Sequence, residues 1–142
     1  MISVLLFLLE LIYANLMEWI LHKFVFHRIG KNKYSVFHFH VEHHNMCTSN
    51  GMKDSPSIHE AFYLFLLSLI HVGLLYFSTW LFLGVLSGGI LYWSIHTKAH
   101  LDVDWMIKWI PWHYTHHSIY TNANWCVTYP LWDIVFKTYR RD

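Results

Sequence analysis

The longest uncharged stretch of the chain constrains its fold more than any other feature. Residues 61–97 contain no Asp, Glu, Lys or Arg. This run of 37 residues is too long for one membrane-crossing helix, which needs about 20 residues. It therefore predicts two short helices that turn near residues 77–80, so that the hairpin returns the chain to the side from which it left.

The segments on either side of the hairpin predict its orientation. An apolar segment occupies residues 1–21, without a basic leader and with Glu10 interrupting the run, so a retained membrane helix is expected rather than a cleaved signal. All ten Lys and Arg residues fall within 22–60 or 97–142. By the positive-inside rule, both polar regions should face the cytoplasm.

These segments predict one all-α domain over residues 1–142. We expect an integral membrane bundle of about three hydrophobic helices, including the 61–97 hairpin, with a cytosolic histidine-rich helical cap. Charged residues make up only 13% of the chain, against about 25% in soluble domains. Residues 49–57, SNGMKDSPS, predict a loop. The membrane would be the endoplasmic reticulum in a eukaryote and the cytoplasmic membrane in a bacterium.

Charge and cysteine content exclude two further classes of protein. The net charge is +1 and there is no strong basic stripe, so no nucleic-acid partner is expected. Cys47 and Cys126 are too few for a disulfide framework and fit a reducing compartment. Tryptophans near the C-terminus predict short helices lying at the bilayer surface. They are Trp105, Trp109, Trp112, Trp125 and Trp132.

Thirteen histidines are an unusual load for a chain of 142 residues. Imidazole is the commonest metal ligand among side chains, and most of these histidines fall into four groups. The groups are HKFVFH with His22 and His27, HVEHH with His40, His43 and His44, HTKAH with His96 and His100, and HYTHH with His113, His116 and His117.

The spacing within each group favours a shared ligand geometry. Residues three and four apart lie on one face of a helix, so each His-x-x-His-His group directs three imidazoles to one stripe. His96 and His100 also share a face. His22 and His27 are five apart, about 140° around an ideal helix, and converge only if the helix ends or bulges between them.

The ten grouped imidazoles exceed the coordination of one metal, whereas two metals with about five nitrogen ligands each fit the count. Imidazole binds zinc, copper, iron and nickel, so ligand type alone leaves the metal open. The three remaining histidines stand alone and are expected to be packed or hydrogen-bonded rather than to bind metal. They are His38, His59 and His71.

Other residues are candidates for supporting roles. Glu18 lies four residues before His22 and is either an acceptor that orients this imidazole or an interfacial carboxylate at a helix end. Four more carboxylates are candidates without a defined geometry: Glu42, Asp102, Asp104 and Asp133. Three glycines either permit close helix packing or serve as turn residues: Gly84, Gly88 and Gly89.

The four histidine groups, in this order and with the hairpin between the second and third, resemble the fatty acid hydroxylase superfamily, which includes lipid hydroxylases, sterol desaturases and carotenoid hydroxylases. The resemblance runs over residues 18–138. Its C-terminal part is the most specific, with NANW at 122–125 and a closing PLWDIVFKT at 130–138, where Lys137 replaces a common glycine.

The resemblance implies a di-iron membrane oxidoreductase that uses molecular oxygen to hydroxylate a fatty acyl, sterol or related membrane lipid. All ten grouped histidines would hold two iron ions, for which zinc could substitute in isolated protein. The sequence contains no dinucleotide-binding fingerprint and no fused cytochrome b5-type module, so electrons are expected from a separate donor of the cytochrome b5 or ferredoxin type.

Several alternatives stay open at this point. A lipid desaturase or a carotenoid hydroxylase of the same family would carry the same ligands, because the outcome depends on how the substrate sits relative to the oxidant. A non-catalytic metal-binding or transport membrane protein is the alternative from another class. A transporter should place its ligands near the bilayer midplane, whereas the grouped histidines lie in charged segments or at the end of an apolar run.

Overall fold

A computed structural model describes residues 2–141, and within that range all regular structure is helical. The predicted all-α class is therefore confirmed. The α-helices are α1 (Ile2–Ile20), α2 (Phe39–Ser49), α3 (Ile58–Ile70), α4 (Thr79–Leu101), α5 (Val103–Trp109), α6 (Pro111–Ser118) and α7 (Leu131–Val135). A π-helix, Leu21–Ile29, continues α1, and a 3₁₀-helix, His71–Tyr76, continues α3. We call the former the π segment.

Two continuous helical stretches are long and apolar enough to cross a membrane, Ile2–Ile29 and Ile58–Tyr76. The second of these is the first arm of the predicted hairpin, and α4, a helix of 23 residues, is the other arm. The chain turns at residues 77–78, within the predicted 77–80. The turn lies where Ser78 caps α4, within a run that contains no charged residue.

Local signals in the sequence set where the hairpin helices begin. Ser57 precedes α3 and accepts a hydrogen bond from the Glu60 backbone N–H at 3.3 Å. This is one half of a capping box, Ser-x-x-Glu, and it confirms that the predicted 49–57 loop ends here. Ser78 caps α4 in the same way through the Trp80 N–H.

Small residues allow α1 and α4 to pack closely. A Cβ atom added to Gly84 would lie 2.5 Å from the Cβ of Glu10, and one added to Gly88 would lie 2.3 Å from the Cβ of Ala14. Both distances are shorter than atoms tolerate, so glycine is required at each position for the helices to approach. Gly89, in contrast, has no atom closer than 3.9 Å to such a Cβ.

The remaining helices form a cap over one end of the bundle. Helix α2 packs against α6 and the π segment, and α5 joins α4 to α6. Asp102 caps α5 by accepting from the Trp105 N–H, and Pro111 is well suited to the first turn of α6, where its missing N–H costs nothing. These helices are short, as predicted, and they carry six of the grouped histidines.

Candidate metal centre

The first group of ring nitrogens converges where the π segment meets α2 and α6. Ligand atoms of five histidines lie within 4.8 Å of one another: His22, His27, His40, His44 and His116. We call this set cluster A. The Nε2 atom of His40 is 3.0 Å from that of His22, and the Nε2 atom of His116 is 3.2 Å from that of His27. Two nitrogens bound to one ion at about 2.1 Å are about 3.0–3.4 Å apart, so these separations suit a shared cation.

Hydrogen bonds at the other ring nitrogen show that two members of cluster A, His22 and His116, present lone pairs rather than N–H groups to the cluster. The Nδ1–H of His22 donates to the Trp125 carbonyl at 2.6 Å. The Nδ1–H of His116 donates to the Ala123 carbonyl at 2.6 Å. A neutral imidazole carries one N–H, so both Nε2 atoms point bare lone pairs into the cluster. Lone pairs that face each other repel, and a metal ion would remove the repulsion.

The second group of ring nitrogens adjoins the first. Ligand atoms of His43, His96, His100 and His117 lie within 4.8 Å of one another. The Nε2 atom of His113 is 3.2 Å from that of His100, and we include it, calling the set of five cluster B. The rings of His44 and His117 stack with centroids 4.1 Å apart, so clusters A and B meet at this pair.

Carboxylates and a carbonyl fix the tautomers of cluster B. The Nδ1–H of His43 donates to Asp54 at 2.6 Å, and that of His96 donates to Glu60 at 3.0 Å. The Nδ1–H of His100 donates to the Met52 carbonyl at 2.9 Å. Such acceptors hold a ligating imidazole in place and raise its basicity. The same Glu60 also accepts from the Tyr92 hydroxyl at 2.6 Å.

Several buried ring nitrogens of the two clusters lack a protein partner among the described residues. They are Nδ1 of His44, Nε2 of His96, Nδ1 of His113 and both ring nitrogens of His117. Buried polar atoms are normally satisfied, and an unpaired one costs about 1–3 kcal/mol. His96 Nε2 and His117 therefore fit a metal ligand better than a packed core residue.

Burial keeps the imidazoles in the form that binds metal. Removal from water lowers the pKa of His40, His113 and His116 well below the ordinary value, and neighbouring imidazoles lower it further. Neutral imidazole is the form that binds metal. These three donors are thus neutral nitrogen, and the carboxylates of Asp54 and Glu60 are placed behind ligands rather than among them.

The π segment explains how His22 and His27 reach the same cluster. A π-helix closes hydrogen bonds between residues five apart, and the Gly30 N–H accordingly bonds to the Val25 carbonyl at 2.9 Å. Residues five apart then lie nearer to one face than the roughly 140° of an ideal α-helix allows, and the ring centroids of His22 and His27 are 5.0 Å apart. From the sequence, the two histidines were expected to converge only if the helix ends or bulges between them. The structure has a bulge there, the π segment.

The two His-x-x-His-His groups divide between the clusters in a reciprocal way. In α2, the pair four apart, His40 and His44, enters cluster A, while His43 enters cluster B. In α6, the pair four apart, His113 and His117, enters cluster B, while His116 enters cluster A. Each group does lie on one stripe of its helix, as predicted, but the histidines of that stripe are divided between the two clusters. The ten sequence-predicted ligands all lie in these clusters, and metal ligation by them stays a prediction.

Glu18 does not orient His22, so the first of its two expected roles is wrong. Its carboxylate accepts from the backbone N–H groups of Val127 and Thr128, both at 3.1 Å, and from the Thr128 hydroxyl at 2.6 Å. Glu18 therefore ties α1 to the segment after the NANW motif. The His22 imidazole instead donates to the carbonyl of Trp125, the last residue of the NANW motif, directly before this segment.

Asp133 has a similar anchoring role in the C-terminal segment. Its fully buried carboxylate accepts from the N–H groups of Trp125 and Cys126 and from the Thr138 hydroxyl. Asn124 completes the anchor by donating to Thr115 Oγ1 at 2.8 Å. The PLWD and NANW motifs thus position the carbonyls that hold His22 and His116. Asp102 caps a helix, and neither Glu42 nor Asp104 has a recorded contact in the centre.

The lone histidines lie outside both clusters, as expected. His38 hydrogen-bonds to the Gly30 carbonyl at 2.8 Å, and His59 stacks on Phe39. His71 contacts Tyr13 and Leu67 far from the centre. Cys47 and Cys126 are free and buried.

Asp54, Glu60 and the carbonyl acceptors were missed by sequence reasoning. Glu60 had a usable signal, since it is the last carboxylate before the uncharged run and follows Ser57 in a capping pattern. Asp54 had none, because its partner His43 lies across a loop and is fixed only by the tertiary fold.

An apolar cavity of about 390 Å³ leads away from cluster A between α1, α3 and α4. His22, Glu60 and Tyr92 line the end beside the metal centre, and Tyr13 and His71 line the other end. The walls between are mainly apolar, with Leu21, Leu64, Leu67 and Val85 among them. The volume is within the range of small-molecule sites, about 300–1,000 Å³, and its walls suit an alkyl chain.

Comparison with known proteins agrees with these features. A family model described as fatty acid hydroxylase matches residues 7–138, which confirms the resemblance expected from the four histidine groups. No curated protein and no solved structure matches the sequence.

Proposed function

The chain belongs to the fatty acid hydroxylase family, and on that premise we propose that it is an oxygen-dependent lipid hydroxylase with a histidine-bound di-iron centre. The observation that carries the proposal is the arrangement of two adjoining five-histidine clusters, one of which contributes His22 to the wall of an apolar cavity. His22 belongs both to cluster A and to the cavity wall, so a lipid carbon at that end would lie beside the metals.

Iron is proposed because the chemistry requires a redox-active metal, and zinc has no redox chemistry. When bound, the iron pair would use molecular oxygen and two electrons to oxidise an unactivated C–H bond, with one oxygen atom entering the lipid and the other leaving as water. Imidazole nitrogen suits iron among other metals. Neutral imidazole donors would leave the metal charge uncompensated by the ligands.

The protein's own residues would hold the metals, exclude water and orient the lipid. His40, His113 and His116 are essentially inaccessible to solvent, and Trp125 covers cluster A beside His27 and His116. The cavity walls of α1, α3 and α4 would hold the alkyl chain in one direction. Asp54 and Glu60 would keep the cluster B imidazoles in the tautomer that binds metal.

The electrons would come from a separate protein of the cytochrome b5 or ferredoxin type. We also propose that the cap faces the cytoplasm, where such donors operate, because the Lys and Arg residues flank the hairpin rather than occupying it. Basic loops of the cap would then meet an acidic donor.

Alternatives within the family differ only in the fate of the substrate. A desaturase or a carotenoid hydroxylase would use the same clusters. Metal transport is less compatible with the structure, because the cavity that leaves cluster A is walled mainly by apolar side chains, which suit a lipid and not a hydrated cation.

The proposal is tested by loading the purified protein with iron under anaerobic conditions and measuring metal per chain. Electrons, oxygen and a total lipid extract are then supplied, and mass spectrometry follows the lipids. A gain of one oxygen atom supports hydroxylation, and a loss of two hydrogens supports desaturation. Unchanged lipids despite bound iron and a working reductant would contradict the enzyme assignment.

Single substitutions test the ligand assignment independently. His116→Ala removes a central member of cluster A and should abolish activity and lower the iron content. His59→Ala is the matched control, because His59 stacks on Phe39 at the surface and should keep both. Full iron content and activity in His116→Ala would contradict the assignment of His116 as a metal ligand.

A further inference from the structure

The far end of the apolar cavity carries a polar group that the metal centre does not use. Tyr13 of α1 and His71 at the end of α3 both line this end, and the Tyr13 hydroxyl lies 3.0 Å from His71 Nε2. The pair is partly exposed, with Tyr13 36% accessible, and polar side chains within membrane-spanning helices are costly and commonly functional. This pair therefore calls for a function of its own.

Hydrogen-bond directions show what the pair offers to a ligand. The Nδ1–H of His71 donates to the Leu67 carbonyl at 2.7 Å, so its Nε2 atom has a lone pair and accepts the Tyr13 hydroxyl proton. The only proton of Tyr13 is thereby used, and its oxygen is left as an acceptor. Ser68, in the same wall, likewise donates its proton to the Leu64 carbonyl at 2.9 Å. The far end thus presents acceptor oxygens.

The helices fix the distance between this polar end and the metals. Tyr13 and His22 are nine residues apart on one continuous helix, which spans about 14 Å at the α-helical rise. Glu60 and His71 are eleven residues apart along α3, about 16 Å. Two independent helices thus give nearly the same cavity length. A ligand that touches both ends must be an extended, mainly apolar molecule of that length.

We propose that Tyr13, oriented by His71, is a binding site for a lipid alcohol, whose hydroxyl group donates a hydrogen bond to the Tyr13 oxygen while its opposite end lies beside His22. This inference rests on the proposed function for the identity of the reacting end. Tyr13 is then a positioning residue. It selects lipids that carry a hydroxyl donor, and the cavity length determines which carbon reaches the metals.

The test measures binding rather than turnover, with two probes of equal chain length. Dodecanol carries a hydroxyl donor, whereas dodecyl methyl ether has an oxygen without a proton. Calorimetric titration of the metal-loaded protein in detergent should give about fivefold tighter binding of the alcohol, the effect of one hydrogen bond. Equal affinities in the wild-type protein would overturn the proposal.

Two variants separate ligand recognition from a tie between helices. Tyr13→Phe removes the acceptor oxygen. It should weaken binding of the alcohol, so that the alcohol and the ether bind with nearly equal affinity. His71→Leu frees the Tyr13 hydroxyl proton, which can then be donated to an ether oxygen. The ether should therefore bind more tightly, and the ratio of alcohol affinity to ether affinity should fall. If both variants weaken the binding of both probes to the same extent, the pair of Tyr13 and His71 only joins α1 to α3, and the proposal fails.

Controls keep this site distinct from the metal centre. Tyr63→Phe is matched, because Tyr63 lines the same cavity but its hydroxyl bonds to the Val36 carbonyl instead, and it should keep the wild-type ratio. His71→Ala should keep the wild-type metal content. If the lipid-extract assay fails while the alcohol preference persists, the di-iron function is refuted and the binding site stands. The reverse pattern refutes the binding site alone.

Discussion

Hydrogen-bond direction at single nitrogen atoms favours a metal centre over a histidine-rich core in this protein. Carbonyl or carboxylate acceptors hold the Nδ1–H groups of His22, His43, His96, His100 and His116. Their Nε2 lone pairs consequently face the clusters. A packing role would not require every one of these rings to be held in the same tautomer.

Glu60 is the residue on which this orientation can be tested most sharply. Its carboxylate accepts from both His96 and Tyr92, whereas the amide of Gln has only one oxygen to accept with, and its NH₂ group would face a donor. Glu60→Gln should therefore weaken metal binding in cluster B by about 10–100-fold. Metal titration followed by elemental analysis gives the metal bound per chain at each metal concentration.

The matched control for this change is Glu42→Gln, since Glu42 is exposed on α2, beside His43 in sequence. It should bind metal like the wild-type protein. Equal metal affinities in Glu60→Gln and wild type would show that the carboxylate does not support His96 as a ligand.

At the scale of elements, the contact between α1 and α4 depends on glycine at two positions. Gly88→Ala would place a methyl group 2.3 Å from the Ala14 Cβ, and the helices would have to separate. We expect a loss of about 1–3 kcal/mol in the free energy of unfolding, as for other overpacked cores. Thermal or denaturant unfolding in detergent measures it. Gly89→Ala, with no atom closer than 3.9 Å, should change little, and an equal loss there would contradict the packing argument.

The π segment makes a separate prediction through Gly30, at its end. A Cβ at this position would lie 2.0 Å from the Phe26 carbonyl oxygen and 2.7 Å from that of Phe37, both in the backbone. Gly30→Ala should disturb the π geometry and displace His27, lowering the iron affinity of cluster A. Gly73→Ala, whose Cβ meets nothing within 4 Å, is the control. Unchanged iron binding in Gly30→Ala would show that the π segment is not needed for the ligand geometry.

What the sequence predicted well was set by local spacing, and what it missed was set by long-range contacts. The hairpin followed from the uncharged run, and the condition on His22 and His27 followed from helical geometry. The division of each His-x-x-His-His group between two clusters depends on how α2 faces α6. The groups that accept hydrogen bonds from the imidazoles are also far from them in sequence. Glu60 and His96, for example, are 36 residues apart. No local pattern encodes such pairs.

At the scale of the whole molecule, the buried imidazoles make stability depend on pH. Burial, and then the neighbouring imidazoles, hold the pKa of His40, His44, His113, His116 and His117 below the ordinary value. In the unfolded chain each would take up a proton near pH 6.5, so stability is retained above that pH and lost below it. Each group contributes about 1.4 kcal/mol per pH unit there.

The measurement is the urea midpoint of the metal-free protein in detergent between about pH 7.5 and about pH 5.5. We expect it to fall steeply below about pH 6.5. His59→Ala, which leaves the buried rings in place, should follow the wild-type curve. A midpoint that stays constant across this interval would mean that the cluster histidines are already protonated in the folded chain.

The reciprocal division of the two histidine groups links the filling of the two sites. Helix α2 supplies His40 and His44 to one cluster and His43 to the other, and α6 does the converse. Whichever ion binds first must order both helices, and the second ion then meets ligands whose conformational entropy has already been lost. Uptake should therefore be cooperative, with chains carrying either no metal or a complete pair. A half-loaded centre would therefore be scarce at every metal concentration.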